Sequence, residues 1–301
     1  MPETIRIATR GSRLALWQAG WVKGHLEALG ARAELVIIET QGDREKAPFA
    51  QLQGQGFFTK AIQDAVLAGR ADLAVHSYKD LPSARPEGLE IVAVPPREDA
   101  RELLLVQPSA VDPTKPVLPL RRGIRVGSSA VRRQAQLRHL RPDLELLELR
   151  GNVPTRVEKL EKGHYEAILL AYAGAKRLGL DLSRFYVRVL EADELVPAPA
   201  QGALALECRA DHLWLKTLVE QLDDPAARRT VAAERGLMAR LAGGCQLALG
   251  AYAVEVPEGL LLRAWYKGRT YQACAHAPET VVDSVFRQIS AQNPEVVCAS
   301  R

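Results

Sequence analysis

Three stretches of this chain carry an apolar, strand-like run into a small-residue turn and then into a helical pattern, with arginine at the strand end or just behind the turn. The first is Ile5-Arg6-Ile7-Ala8-Thr9-Arg10-Gly11-Ser12. The second is Ile124-Arg125-Val126-Gly127-Ser128-Ser129-Ala130-Val131-Arg132-Arg133. The third is Leu144-Glu145-Leu146-Leu147-Glu148-Leu149-Arg150-Gly151-Asn152, with Arg156 one turn further on. A strand that hands over to a helix in this way needs a crossover to reach its next partner, which is the grammar of an α/β sheet. The hand-over also leaves free backbone N–H groups at the helix start. Those groups, the helix dipole and guanidinium forks together favour an anion. One such turn is common; three imply a ligand with several negative groups.

The alternation organises the chain. After a strand at 5–8, Leu14, Trp17, Trp21, Val22, Leu26 and Leu29 form a helical stripe that stops at Gly30. A strand is predicted at 34–39, a polar loop at 41–56, a helix at 57–67 and strands at 71–75 and 89–94. Residues 124–190 repeat the pattern: strand 124–126, helix 131–140, strand 144–149, helix 153–162, strand 167–171, helix 173–179, with strands spaced for parallel crossovers. A further strand at 203–208 follows Pro197-Ala198-Pro199, so the chain is expected to return at about residue 195 to complete the first sheet. Two crossings between domains make a hinge and a cleft, where ligands of such proteins usually sit. Beyond Pro225 come a helix at 226–241, a hairpin of 248–256 with 260–266, and a helix at 279–292. The predicted fold is α/β, with three domains: 1–97 together with 196–216, then 98–195, then a small α+β domain at 217–301.

Bulk properties narrow the function. A formal net charge of +4 gives no global field for nucleic acid. The basic residues are skewed, with arginine at thirty of the forty positions, and arginine suits bidentate carboxylate recognition better than lysine does. No apolar run approaches membrane-spanning length, and no basic-then-apolar leader opens the sequence. Cys208, Cys245, Cys274 and Cys298 lack metal-ligand spacing or a disulfide pattern. The expectation is a cytoplasmic, reducing setting, with no metal, no membrane and no nucleic acid.

Several residues have two readings. Two glycines before Cys245 keep the backbone open for covalent attachment to its sulfur, yet a small buried residue in a tight turn fits at least as well. Asp80 follows a buried strand, where α/β active sites open, but spacing alone favours a turn-forming carboxylate. Lys60 and Lys79 read first as solvated surface charges, and His76 as a packed strand-end residue. Arg132 and Arg133 continue a basic run that suits a solvated face. Their place in a first helical turn nevertheless opposes the helix dipole, and an anion would relieve it. The Gly127-Ser128-Ser129 turn lacks P-loop spacing, which excludes that nucleotide motif.

At these residues the chain resembles the porphobilinogen deaminase (hydroxymethylbilane synthase) family. The matches run nearly end to end: Ile7-Ala8-Thr9-Arg10 with Ser12 and Leu14–Ala19; Ala74-Val75-His76-Ser77 with Lys79-Asp80; Leu149–Val153 with Thr155-Arg156; Ala173-Gly174 with Lys176–Gly179; Gln201-Gly202-Ala203; and Glu234-Arg235 leading to Gly243-Gly244-Cys245-Gln246. The resemblance implies two periplasmic-binding-protein-like domains joined by a two-segment hinge, plus the small third domain. It implies head-to-tail joining of four porphobilinogen molecules with loss of ammonia, then hydrolysis to hydroxymethylbilane, by a monomer. It further implies a dipyrromethane cofactor bound by a thioether to Cys245 and contacted by Ser77, Lys79, Ser128, Ser129, Arg132, Arg133 and Arg150. Arg10, Ser12, Lys60, Arg156 and Arg177 would bind substrate carboxylates, and Asp80 would be the catalyst. Gln55 stands where many members carry lysine, Ala130 removes one hydroxyl from the usual turn, Pro154 fits a first helical turn, and Ala200 replaces a usual glycine. A rival reading is a non-catalytic carboxylate-binding protein of the same fold, which leaves Cys245 and the third domain without a role.

Overall fold

The computed structural model describes residues 4–40, 59–115, 117–241 and 247–298. The chain divides into two compact units, residues 1–98 with 202–231, and residues 99–201 with 232–301.

The first unit is built on a five-stranded sheet. In chain order its strands are β1 (Ile5–Thr9), β2 (Ala33–Ile37), β3 (Leu73–Ser77), β4 (Leu89–Ala93) and β10 (Leu204–Arg209), arranged β2-β1-β3-β10-β4. β1 pairs in parallel with both β2 and β3, whereas β10 runs antiparallel between β3 and β4. Alternation along the strands feeds two cores. Ile5, Ile7, Leu73 and Val75 face helix α1 (Arg13–Ala28) through Ala19, Val22 and Leu26. Ala8 and Ala74 face helix α2 (Lys60–Leu67) through Ile62, Ala65 and Val66. α1 starts where the sequence predicts because Ser12 caps it, its hydroxyl accepting from Ala15 N at 3.3 Å. It ends at Ala28, ahead of Gly30 at φ 84°.

The second unit holds two sheets. The larger comprises β5 (Glu102–Val106), β6 (Arg125–Gly127), β7 (Glu145–Leu147), β8 (Ala167–Ala171) and β9 (Tyr186–Leu190), ordered β7-β6-β8-β5-β9. Helices α3 (Val131–Leu140), α4 (Val153–Glu161) and α5 (Tyr172–Leu178) make its crossovers. Pro154 lies in the first turn of α4, whose cap is Asn152. The third sheet, β11 (Gly250–Val256), β12 (Gly259–Tyr266) and β13 (Arg269–Ala275), is an antiparallel meander. Its core is closed by helix α8 (Pro278–Gln292). Helix α6 (Leu213–Val219) follows β10, α7 (Pro225–Arg240) begins in the first unit and ends in the second, and α9 (Glu295–Cys298) is a last short turn.

The sheets are less uniformly parallel than the spacing predicts. β6 pairs in parallel with β7 and β8, but β5 runs antiparallel to both β8 and β9. β5 is fully buried and no α-helix follows it; only a 3₁₀ turn at Pro108–Ala110 does. Without a helix there is no crossover to enforce a parallel neighbour. β3 also extends two residues further than predicted, taking in His76 and Ser77. The predicted loop at 41–56 and the first residues of the helix predicted at 57–67 lie outside the described residues, as does Gln55.

The strand-to-helix turn at Gly127 is packed too closely for a side chain. A Cβ there would stand 2.9 Å from Tyr165 Cδ1, and the Tyr165 hydroxyl donates to Glu148 O at 2.6 Å. Gly127→Ala should therefore cost about 1–3 kcal/mol, read by urea denaturation. Gly24, within α1, has no atom within 4 Å of a built Cβ. Gly24→Ala should instead stabilise by about 0.5–1 kcal/mol.

Candidate active site

In the first unit a pocket opens beyond the carboxyl ends of β1 and β3, where the chain turns to α1 on one face and arrives from α2 on the other. This is the switch point at which open α/β sheets bind ligands. Arg10, Ser12, Gln18, Thr59, His76, Ser77 and Asp80 line it, with Leu14, Ala15, Ile62 and Val75 as the apolar wall. Each polar group comes from the end of an element. Ser12 caps α1, and Thr59 occupies the same position before α2. Ser77 closes β3, and the 3₁₀ turn Tyr78–Asp80 follows it at once. Backbone bonds pin that turn, from Tyr78 N to Ala203 O at 3.0 Å and from Leu81 N to Tyr78 O at 3.2 Å. Asp80 is half-buried, and its carboxylate has no hydrogen-bond or ion-pair partner among the described residues. Gln18 and Ser77 bond to each other at 2.9 and 3.2 Å. Lys79 shares the turn and Lys60 opens α2, but neither lines the pocket.

The second unit gathers positive charge at the start of α3. Arg132 and Arg133 do not lie on a solvated face; they are 7% and 4% exposed. Both are ion-paired to the fully buried Glu102 of β5, Arg132 Nη2 to Oε1 at 2.6 Å and Arg133 Nη2 to Oε2 at 2.6 Å. Arg132 also donates to Gln201 Oε1 at 3.1 Å, and Arg133 to Leu169 O at 3.2 Å. Burial pushes the Arg132 guanidinium down to about 10; Glu102 opposes that fall and neighbouring Arg133 adds to it. Two guanidiniums against one carboxylate leave one positive charge. The Ser128 hydroxyl oxygen is buried and has no partner among the described residues, while α3 starts from Ala130, which supplies no side-chain cap. Ser129 exchanges bonds with the Leu149 backbone, donating to its O and accepting from its N.

Glu102→Ala would leave two buried guanidiniums facing each other. It should destabilise the fold by about 3–5 kcal/mol in chemical denaturation, whereas removing Glu161 from its exposed pair with Arg184 should cost no more than about 1 kcal/mol.

The remaining expected residues are more dispersed. Arg150 pairs with Glu148 at 2.7 Å, and Arg156 Nε donates to Gly151 O at 2.7 Å. Arg177 is buried within α5. Cys245 lies outside the described residues; α7, which leads to it, is anchored by Glu234, whose carboxylate accepts from Ala200 N at 2.6 Å and Ala253 N at 2.7 Å. Ala200 stands at φ 60°, the conformation that explains a glycine at this position. Sequence reasoning overlooked Glu102, Gln18 and Glu207. The signal available was a polar residue interrupting an apolar run, as in Glu102-Leu103-Leu104-Leu105 and Leu204-Ala205-Leu206-Glu207. Among the described residues no group of acidic, histidine or cysteine side chains could hold a metal ion, and no helix is long and apolar enough to cross a membrane.

Comparison with known proteins follows the same line. The family model described as porphobilinogen deaminase, dipyromethane cofactor binding domain, matches residues 5–217. The porphobilinogen deaminase of Trichlorobacter lovleyi is 44% identical over 87% of this chain and 82% of its own. That of Roseiflexus sp. is 45% identical over 89% of this chain and 88% of its own. Among solved structures, an ancestral cationic amino acid solute binding protein aligns with 73% of this chain and 87% of its own at a TM-score of 0.47 and 15% identity, too distant to bear on function. The chain belongs to the porphobilinogen deaminase family.

Proposed function

We propose that this protein is a transferase that joins four porphobilinogen molecules head to tail, releases four ammonia molecules, and hydrolyses the product to hydroxymethylbilane. The observation that carries the reading, beside family membership, is the half-buried Asp80 carboxylate in a pocket shared with Arg10 and Ser12. A pyrrole substrate brings carboxylates that need cationic and hydroxyl donors, and ring nitrogens that gain positive charge as bonds change. Asp80 supplies a fixed negative charge for those nitrogens and needs no reorganisation at the moment of reaction. Arg10, Ser12, Lys60, Arg156 and Arg177 take the substrate carboxylates, with the guanidiniums giving paired, charge-assisted bonds.

The second unit's donor set fits a carboxylate-bearing dipyrrole. One uncompensated positive charge, an unpartnered buried Ser128 hydroxyl and an uncapped helix start are what such a group satisfies. Ser128, Ser129, Arg132, Arg133 and Arg150 would hold it there, Ser77 and Lys79 from their own unit, and Cys245 through a thioether. When bound, dipyrromethane supplies the covalently held primer on which the chain of pyrroles is built. The reading carries with it a three-domain division at 1–97 with 196–216, 98–195 and 217–301, a cytoplasmic setting and a monomer.

Two experiments test this. The purified chain should be heavier than its sequence by two linked pyrrole units, and Cys245→Ala should lose both that mass and turnover while keeping its circular dichroism spectrum. Retention of the added mass in Cys245→Ala would move the attachment elsewhere. Asp80→Asn, which keeps size but removes charge, should lower kcat by roughly a hundred- to a thousand-fold with a smaller change in KM. A near-normal rate would make Asp80 a structural turn residue.

A further inference from the structure

His76 and Glu207 are buried titratable groups of the first unit that the reading above leaves without a task. They lie on the adjacent antiparallel strands β3 and β10, where Ala205 is paired with His76 and Glu207 with Ala74. Both side chains therefore leave the sheet on the face covered by α2. His76 Nε2 is 3.1 Å from Glu207 Oε2, and Gln63 Nε2 of α2 donates to the two carboxylate oxygens at 3.1 and 3.0 Å. The side chains of His76 and Glu207 are 2% and 0% exposed, and the same face carries the apolar cluster of Ala8, Ile62, Ala65 and Val66. A carboxylate buried this deeply needs every donor within reach. The proton of the imidazole is then on Nε2, and Nδ1 is the nitrogen left to exchange.

His76 also lines the pocket that holds Asp80. Among the described residues that line the pocket, Arg10, His76 and Asp80 are the ionisable ones, and a guanidinium is no proton acceptor. Joining one unit forms a carbon–carbon bond between the aminomethyl carbon of one pyrrole and the free α-carbon of the next. The C–N bond breaks with its electron pair passing to nitrogen, so the protonated amine leaves as ammonia. The α-carbon loses one proton, and that proton ends on the ammonia as ammonium. If Asp80 took this proton, the charge that balances the cationic pyrroles would vanish when it is needed.

We propose that His76, held by Glu207 and Gln63 as an Nε2–H donor, is the second proton carrier of this pocket. Its Nδ1 takes the α-carbon proton and passes it to the departing ammonia, while Asp80 stays ionised. The assignment rests on the deaminase reading. Glu207 is then a positioning residue, acting only through His76, as a carboxylate does behind a catalytic imidazole. Among the described residues, the charged groups near His76 are Glu207 of β10, bonded to it, and Asp80 and Arg10, which line the same pocket. α2 presents the neutral Gln63, with Lys60 and Asp64 exposed, and β1 presents Ala8 on that face.

The test pairs spectroscopy with kinetics on the full chain. Nitrogen NMR of histidine-labelled wild-type protein should show the neutral His76 ring protonated on Nε2, with Glu207→Gln loosening that preference. His76→Gln and Glu207→Gln should lower kcat by about 100-fold with KM little changed and alter the shape of the pH–rate profile, while Glu207→Asp stays partly active. A purely structural pair would lower the melting temperature yet leave kcat per folded molecule and the pH profile as in wild type; that result overturns the proposal. So does a neutral His76 carrying its proton on Nδ1, a measurement that stands even where Glu207→Gln fails to fold. Wild-type turnover of porphobilinogen, followed alongside, tests the deaminase reading separately.

Discussion

Glu102 sits at the first position of a fully buried strand, against two guanidiniums from the first turn of α3. Neither side of this contact is viable alone. A buried carboxylate without a cation is strongly disfavoured, and two adjacent buried arginines repel one another and oppose the dipole of their own helix. Together they fix the distance between β5 and the start of α3. Gln201 is drawn in as well, donating to Glu102 Oε1 at 3.1 Å while accepting from Arg132. The strand, the helix and the segment after Pro199 are thus held around one charge, and the geometry of the second unit's basic cluster follows from it.

The same device recurs with different partners. Glu207 is satisfied by an imidazole and an amide, and Glu234 by two backbone N–H groups. All three carboxylates have no exposed surface, and each lies beside a segment that carries site residues. A buried ion pair is weak support for stability when compared with a well-packed apolar substitute. Its strength is specificity, because a carboxylate tolerates only the arrangement that brings its donors. That is the property needed where arginine forks and the Asp80 carboxylate are to be held in fixed positions.

Much of the fold was legible because the chain states its helices twice, by periodicity and by caps. Ser12 and Asn152 cap the helices that the apolar stripes foretold, and the strand at 167–171 stands where predicted. β5, β9 and β13 were not foreseen. β5 has no α-helix after it to announce it, β9 is an edge strand with exposed and half-buried positions, and β13 alternates weakly, as exposed and half-buried positions surround Tyr271. Asp80 and the arginines were visible as residue types in turns, and the family motif gave them roles. Their partners were not visible. Glu102 is thirty positions from Arg132, and Glu207 is more than a hundred from His76, so only the sheet order brings them together. The dipole argument for Arg132 and Arg133 asked for an anion, and the structure supplies one from within the protein.

That internal anion alters how the basic cluster meets a ligand. Two free guanidiniums would bind any dianion strongly, including free phosphate. With Glu102 between them only one charge remains uncompensated, so a ligand must add well-placed hydrogen bonds to compete with water. The Ser128 hydroxyl, buried and without a partner among the described residues, is one such contact, and the start of α3, with no side-chain cap, provides others. In the first unit the Asp80 carboxylate, with no ion-pair partner among the described residues, lines a pocket with an arginine and hydroxyls. An acid in that pocket suits a ligand that develops positive charge and disfavours a simple di- or tricarboxylate.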